Sequence, residues 1–172
     1  MTTDEQRRKE EEHRGTAYHE AGHAVVNRHL GYAVSSVTIE AGDDYQGAVL
    51  HDDPLFGCDL EIDDVESGTD EKIAHSIIVA FAGPAAEKHL NPEFFNLEGA
   101  RGDYKVIADL VFCLVGHPDQ ATAKADELDQ QAQALVLEHW PHIDRVARAL
   151  LDRTELTGDD LETLISLGEP AG

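Results

Sequence analysis

The stretch TAYHEAGHAVV, residues 16–26, governs both the fold and the chemistry expected of this chain. Its apolar residues recur at helical spacing and predict a helix, which Gly31 is placed to end. His19, Glu20 and His23 spell H-E-x-x-H within that helix. Because residues four apart differ by only about 40° around a helix axis, we expect both imidazoles to face the same side.

Two imidazoles on one helix face can occupy two positions around a tetrahedral Zn²⁺. Glu20 lies beside His19 and can take a proton from a metal-activated water, then return it to the leaving amine. The pattern therefore predicts hydrolysis of an amide bond without a covalent intermediate. The alternative is that His19 and His23 are hydrogen-bonded core histidines that hold no metal.

The composition indicates one globular domain over the 172 residues, residues 1–172. The net charge is −22, with 35 acidic against 13 basic residues, which disfavours nucleic acid and anionic membranes as partners. The N-terminal segment is charged, and no apolar run is long enough for a membrane anchor, so a cytoplasmic location is expected. We expect residues 1–12 to fray and residues 169–172 to form a tail.

The cysteines favour the same compartment. Cys58 and Cys113 lie far apart and form no CxxC pair, which is typical of a reducing environment rather than a disulfide framework. Cys58 lies in an acidic loop, and it is interpreted as an incidental thiol or as a stray metal ligand.

The remaining pattern predicts a mostly α (α+β) fold, a helical domain with a small β-hairpin after the H-E-x-x-H helix. The third helix, from Asp103, is expected to be buried. The first expected elements are a helix over 4–30, strands over 34–40 and 45–51, and a loop over 52–68. The next helix is expected to be capped by Ser67 or Thr69 and to be kinked or broken at Gly83-Pro84, and a loop over 91–102 follows it. The C-terminal part is expected to contain helices over 103–116 and 118–140, a helix with Pro141 in its first turn, and a last helix with Thr157 as N-cap.

The motif helix, AYHEAGHAVV, resembles the active-site helix of the FtsH family, the AAA+ zinc metalloproteases. Later segments resemble family segments in the same order, and the resemblance spans about residues 13–167. VSSVTIE resembles the family's hairpin, and VAFAGPAAEKHL resembles its Gly-Gly-Arg-x-Ala-Glu-Glu segment. EGARGD resembles its Gly-Ala-x-Asn-Asp segment, and HIDRVARALLDRTELTGDDLETLI resembles its closing helices.

The third metal ligand is expected to be Asp103, which matches the aspartate of the Gly-Ala-x-Asn-Asp segment. Gly99 and Gly102 free the backbone to bend before it, and a carboxylate at a helix N-terminus stays ionised, as a zinc ligand must. The alternative for Asp103 is the N-cap of its helix. Glu87 is the runner-up ligand and is expected to orient a histidine instead.

His29 is a decoy for the third ligand. HEAGHAVVNRH places it where metzincin-type proteases carry their third histidine, but those enzymes need a glycine turn where this chain has Val26. Without that turn the helix continues, and His29 lies six residues past His23, rotated by about 120°. We therefore expect His29 not to bind the metal.

The resemblance implies a zinc-dependent metalloendopeptidase that cuts unfolded polypeptides. The sequence contains no G-x-x-x-x-G-K-[ST] loop, so the chain is expected to act without ATP on its own, or to be fed by a separate AAA+ unfoldase. A homo-oligomer, a hexamer by analogy, is expected through the helical half of the chain, whereas the stripe from Ile143 to Leu151 is interpreted as ordinary core. Strand 34–40 is expected to be a sheet edge that pairs with extended substrate. The alternative function is a non-catalytic, metal-containing partner-binding or adaptor module.

Overall fold

The computed structural model describes residues 2–42, 47–55 and 68–167. Over these residues the chain is mostly helical with one small antiparallel sheet, which confirms the predicted fold class. The elements are α1 (Thr3–His29), β1 (Val34–Thr38), β2 (Ala48–His51), α2 (Thr69–Leu90), a 3₁₀ helix (Pro92–Phe94), α3 (Arg101–Val115), α4 (Pro118–Glu138), α5 (Trp140–Arg153), β3 (Glu155–Thr157) and α6 (Gly158–Ser166).

Helix α1 begins with a capping box. The Thr2 hydroxyl accepts a hydrogen bond from the Glu5 backbone N–H, and the Glu5 carboxylate accepts one from the Thr2 N–H. At the other end, Gly31 adopts a left-handed backbone with φ of 93°, directly after the cap residue Leu30. The expected stop at Gly31 is therefore confirmed to within one or two residues.

Helix α2 runs through Pro84 without the expected break. Proline removes the hydrogen bond to the carbonyl four residues earlier and usually disrupts a helix. Here the helix packs closely on α1: a Cβ added to Gly22 would lie 2.6 Å from the Ala82 carbonyl oxygen. The free energy gained from close packing of α1 and α2 outweighs the local free-energy cost of a proline inside the helix. The N-cap of α2 is Gly68 rather than Thr69, and the other candidate, Ser67, lies outside the described residues.

The sheet corrects the prediction that strand 34–40 is an edge. Strand β1 covers only Val34–Thr38 and lies in the centre, in the order β2-β1-β3, with antiparallel neighbours on both sides. Over residues 36–38 its main-chain groups therefore have strand partners on both sides. Within the described chain the edges of the sheet are β2 and β3, each with one strand neighbour. Residues 45 and 46 of the second predicted strand lie outside the described residues.

Strand β3 was not predicted, because it is only three residues long and lies between two helices. Thr154 ends α5 with a left-handed backbone, φ 62°, which turns the chain so that Glu155–Thr157 can pair with β1. Thr157 then caps α6 through a capping box with Asp160, as predicted. The pairing is a tertiary event that no local pattern in the sequence indicates.

The core lies between α1, α2 and the C-terminal helices. On α5 the predicted stripe lies in it, with Ile143, Val146, Ala147 and Leu150 buried and Leu151 partly buried, and Pro141 is in the first turn as expected. Helix α3 is less buried than predicted. Only one face is covered, and Val106 and Phe112 are 46% and 53% exposed. Its density of apolar residues was misleading because only one side of α3 has helices to pack against.

Candidate metal centre

The two motif histidines lie together on one face of α1, with their ring centroids 4.8 Å apart. His19 is 8% exposed and His23 is partly buried. Their Nε2 atoms converge on one carboxylate: Nε2 of His19 lies 3.1 Å from Oδ2 of Asp103, and Nε2 of His23 lies 3.3 Å from Oδ1. The spacing of four residues therefore places both rings as the helical pattern predicts.

Asp103 reaches the histidines from the first turn of α3. This helix starts at Arg101 with Ala100 as its N-cap, and no side chain caps it, so the N-cap alternative for Asp103 is wrong. Burial opposes ionisation of the Asp103 carboxyl, but hydrogen bonds and charge interactions with His19 and His23 outweigh it and lower its pKa. Asp103 is thus held as a carboxylate facing both rings.

The second nitrogen of each ring is bonded to a fixed acceptor. Nδ1 of His19 lies 3.1 Å from Oε2 of Glu87, and Nδ1 of His23 lies 2.7 Å from the Val79 carbonyl oxygen. Carboxylate and carbonyl oxygens only accept, so each Nδ1 carries the hydrogen and each Nε2 is the atom turned to Asp103. Glu87 itself accepts the Asn96 backbone N–H at 2.8 Å, which holds the carboxylate in place.

This donor set fits Zn²⁺. The ligating atoms of His19, His23 and Asp103 all lie within 4.8 Å of one another. Two ligand atoms of a tetrahedral zinc site, each about 2.0–2.1 Å from the ion, lie about 3.3 Å apart. The two imidazole–carboxylate separations, 3.1 Å to Oδ2 and 3.3 Å to Oδ1 of Asp103, are close to that edge length but end on different oxygens. Imidazole with carboxylate is also a ligand combination that suits zinc.

Without the metal, the same contacts favour a protonated His19. Burial of the ring opposes the charge, but hydrogen bonds to Asp103 and Glu87 and the nearby Glu20 outweigh it and raise the pKa of His19 to about 10. A metal ion at Nε2 would replace that proton, so binding and proton release are coupled.

Glu20 lies on α1 beside His19 but is absent from the ligand group. Its side chain is 7% exposed, and burial raises its pKa, although His23 and His19 act in the opposite direction. Gly47, just before β2, packs on it: an added Cβ would lie 2.7 Å from the Glu20 carboxylate oxygen. A carboxyl with a raised pKa next to a metal group is suited to accept and return a proton.

A cavity of about 1170 Å³ opens over these residues. Its lining includes His19, Glu20, His23 and Asp103 as well as residues of β2, among them Ala48 and Val49. The volume is sufficient for several residues of an extended peptide, since small-molecule sites measure about 300–1,000 Å³. The cavity therefore has room for a peptide segment next to β2.

His29 is placed away from the ligand group, as the helix geometry predicts. It is exposed, and its ring lies 4.2 Å from the ring of His139. Glu87 is found where a histidine-orienting carboxylate was expected, at His19 Nδ1. Cys113 is exposed, and Cys58 lies outside the described residues. The structure thus brings His19, His23, Asp103 and Glu87 together, while their roles toward a metal stay predictions.

Three features of the site were missed at the sequence level. The Val79 carbonyl holds His23, and backbone atoms leave no signal in the sequence. Gly83 is needed because an added Cβ would lie 2.3 Å from His23 Nε2. Asn27 lines the same cavity, and its position eight residues after His19 is a signal that could have been used.

A comparison with curated proteins finds a distant relative of this chain. The chain is 26% identical over 197 aligned positions to the ATP-dependent zinc metalloprotease FtsH 1 of Rhodopirellula baltica, with 91% of this chain covered. The similarity supports a distant FtsH-like relationship. The chain spans 28% of that protein's length. No protein-family model matches the sequence. Within the described residues, no helix combines the length and apolar character needed to cross a membrane.

Proposed function

We propose that this chain is a zinc-dependent metalloendopeptidase that hydrolyses unfolded polypeptides. The observation that carries the proposal is the convergence of His19, His23 and Asp103, from two separate helices, beside the buried Glu20. The FtsH relative, a zinc metalloprotease by name, agrees with this chemistry. His19, His23 and Asp103 would hold the ion, and Glu87 would orient His19.

Bound zinc would supply Lewis acidity, polarising the scissile carbonyl and making water more acidic. Glu20 would accept the proton of the attacking water and pass it to the leaving amine. Burial raises the pKa of the Glu20 carboxyl, which makes it a stronger base once it is ionised. The Glu87 and Val79 contacts would keep both imidazoles in the orientation that the reaction needs.

The substrate would bind as an extended chain along β2. This strand has a neighbour on one side only within the described chain, and residues 47–49 line the cavity next to Glu20. Main-chain hydrogen bonds to a strand edge orient a peptide without demanding a sequence, but they require it to be unfolded. This supports unfolded polypeptides as the substrate class, in place of the pairing with β1 that the sheet order excludes.

Assembly into a ring and delivery of substrate by a separate AAA+ unfoldase belong to the same proposal. Both rest on the FtsH likeness, and the chain spans only 28% of that relative. The α5 stripe is core material, as expected, because Ile143, Val146 and Leu150 are buried within the chain. Light scattering across a concentration series would test self-association, and a monomer at every concentration would contradict the ring.

The decisive experiment combines elemental analysis with hydrolysis of an unfolded casein-like substrate. The purified protein should contain about one zinc per chain and cut the substrate, and chelation should abolish cutting until zinc is restored. The variant Glu20→Gln should keep zinc and the circular dichroism spectrum but lose nearly all hydrolysis. Zinc-loaded protein that cuts no unfolded substrate would favour the adaptor alternative, and metal-free protein would favour hydrogen-bonded core histidines.

A further inference from the structure

The cavity over the metal group extends along α1 to a buried carboxamide. Asn27 lies four residues after His23 and eight after His19, so it occupies the same helix face one turn further on. Asn27 lines the cavity and is 0% exposed. Among the residues that the structure describes, neither its Oδ1 nor its Nδ2 has a hydrogen-bond partner.

An unpartnered buried carboxamide is unusual, because the lost hydrogen bonds to water are not replaced. The Asn27 side chain has no role in ending α1, since it is the backbone carbonyl of this residue that accepts the Tyr32 N–H. A nearby hydroxyl does not satisfy it either: Ser76, also in the cavity lining, donates to the Lys72 carbonyl. The carboxamide therefore presents two donors and one acceptor for a ligand.

The surrounding lining restricts what that ligand can be. Beyond the metal group the lining includes apolar residues, among them Val49, Leu55 and Val79, and also charged ones such as Arg101 and Lys105. Asn27 itself offers no countercharge to a charged side chain. A flexible apolar stem that ends in a carboxamide suits both features, because two carboxamides can exchange a pair of N–H···O hydrogen bonds.

We propose that Asn27 is a specificity-determining residue that binds the side-chain carboxamide of a substrate glutamine next to the scissile bond. Glutamine is favoured over asparagine because its longer stem can span the helical turn of about 6 Å between His23 and Asn27. The inference rests on the proposed peptidase function, which it extends from unfolded polypeptides in general to a preferred residue. An ordered water on Asn27 is the competing explanation.

The test uses pairs of unstructured peptides that differ only in glutamine against methionine, a side chain of similar length and shape, at each position flanking the cleavage site. For the zinc-loaded protein, kcat/KM should favour glutamine by about tenfold or more, because methionine leaves the buried carboxamide unpaired. Asn27→Leu should abolish or reverse that preference. Ser76→Ala is the matched control and should leave the preference unchanged, because its hydroxyl is already bonded within α2.

A second measurement separates this inference from the peptidase proposal. Fluorescence anisotropy of the same labelled peptides with Glu20→Gln, alone and combined with Asn27→Leu, measures preference without hydrolysis. Absence of cutting by wild-type protein would contradict the peptidase function, and the binding preference would still decide the role of Asn27. Equal binding of both peptides, no binding of either, or a glutamine preference that survives Asn27→Leu would overturn the inference. Asn27→Ala replaces Asn27→Leu if circular dichroism shows that Asn27→Leu does not fold.

Discussion

At the candidate metal centre, the two nitrogens of each imidazole contact different groups. Both Nε2 atoms face Asp103, whereas the Nδ1 atoms bind Glu87 and the Val79 carbonyl. Under the proposed assignment, removing Asp103 would therefore remove a ligand, whereas removing the Glu87 carboxylate charge would change only how His19 is held. Substitutions at single residues can distinguish these two effects.

Asp103→Asn should strip or strongly weaken the bound metal. The loss in zinc affinity should exceed the roughly 10- to 100-fold that follows loss of an orienting partner, since a direct carboxylate ligand is removed. Competition with a chromogenic chelator measures the affinity. His29→Ala is the matched control, because His29 is exposed and lies against His139 rather than in the ligand group. Metal loss in His29→Ala and retention in Asp103→Asn would reverse the assignment.

Glu87→Gln should weaken zinc binding by about 10- to 100-fold and leave one zinc per chain at saturation. The amide oxygen can still accept from one of the two donors, Nδ1 of His19 or the Asn96 N–H, but the amide nitrogen cannot accept from the other, and the charge that makes the imidazole a better ligand is lost. Isothermal titration of the chelated protein with zinc measures the change. A stoichiometry that drops to zero would make Glu87 a ligand rather than an orienting residue.

Close approach between elements shapes the site as much as the ligands do. Helix α2 lies so near α1 that a Cβ on Gly83 would occupy the space of the His23 ring, and Gly47 brings β2 against Glu20. Such contacts depend on the missing Cβ of glycine. They explain why an alanine at either position would disturb the site without removing a functional group.

Gly47→Ala should keep zinc but lose about a hundredfold in kcat/KM, because the added methyl group must displace the Glu20 carboxylate. Hydrolysis assays paired with zinc analysis measure both properties. Gly102→Ala is the matched control, since nothing lies within 4 Å of the Cβ it would add. Unchanged activity in Gly47→Ala would indicate that Glu20 need not hold its observed position.

The capping box of α6 should make this element sensitive to acid. Hydrogen bonds from the backbone N–H and hydroxyl of Thr157, and from Arg153, lower the pKa of Asp160 below its usual value near 3.8. A lowered folded-state pKa contributes stability above the unfolded pKa, which is lost as pH falls through the folded pKa.

Asp160→Asn should therefore lower the melting temperature at neutral pH, and the difference from wild type should shrink as the pH falls below about 4. Thermal unfolding followed by circular dichroism over a pH series measures this. Asp159→Asn removes a charge from the same helical turn without touching the box, so it should change the melting temperature less. A pH-independent effect of Asp160→Asn would contradict the ionic role.

At the scale of the whole molecule, one hydrophobic core is surrounded by a strongly acidic surface. The net charge of −22 is distributed over 172 residues, while the core is built almost entirely of aliphatic side chains and alanine. Like charges at this density repel one another and destabilise the compact state. The repulsion is long-range and is therefore reduced when salt shortens the Debye length.

Raising sodium chloride from about 0.01 M to about 0.5 M should raise the melting temperature of the metal-free protein. Differential scanning calorimetry measures the shift, and a neutral osmolyte at equal osmolality controls for exclusion of solutes from the surface. The shift should be larger for salt than for the osmolyte. A melting temperature that falls with salt would show that the attractive surface ion pairs outweigh the net repulsion.

The sequence by itself determined the H-E-x-x-H helix, the mostly helical class and the caps at Gly31 and Thr157, because these depend on spacing and on residues close in the chain. The expectation that Asp103 and Glu87 lie near His19 came from the FtsH resemblance, since contacts 84 and 68 residues apart leave no local signal. The helix rotation that excluded His29 was likewise readable from spacing alone.

Only the tertiary structure decided where those elements stand relative to one another. It placed β1 in the centre of the sheet by adding β3, and it kept α2 continuous through Pro84 against α1. It also buried Asn27 without a partner in the cavity wall. Each outcome depends on the free energy of packing between distant segments, which outweighs local backbone preference and which a pattern along the chain does not encode.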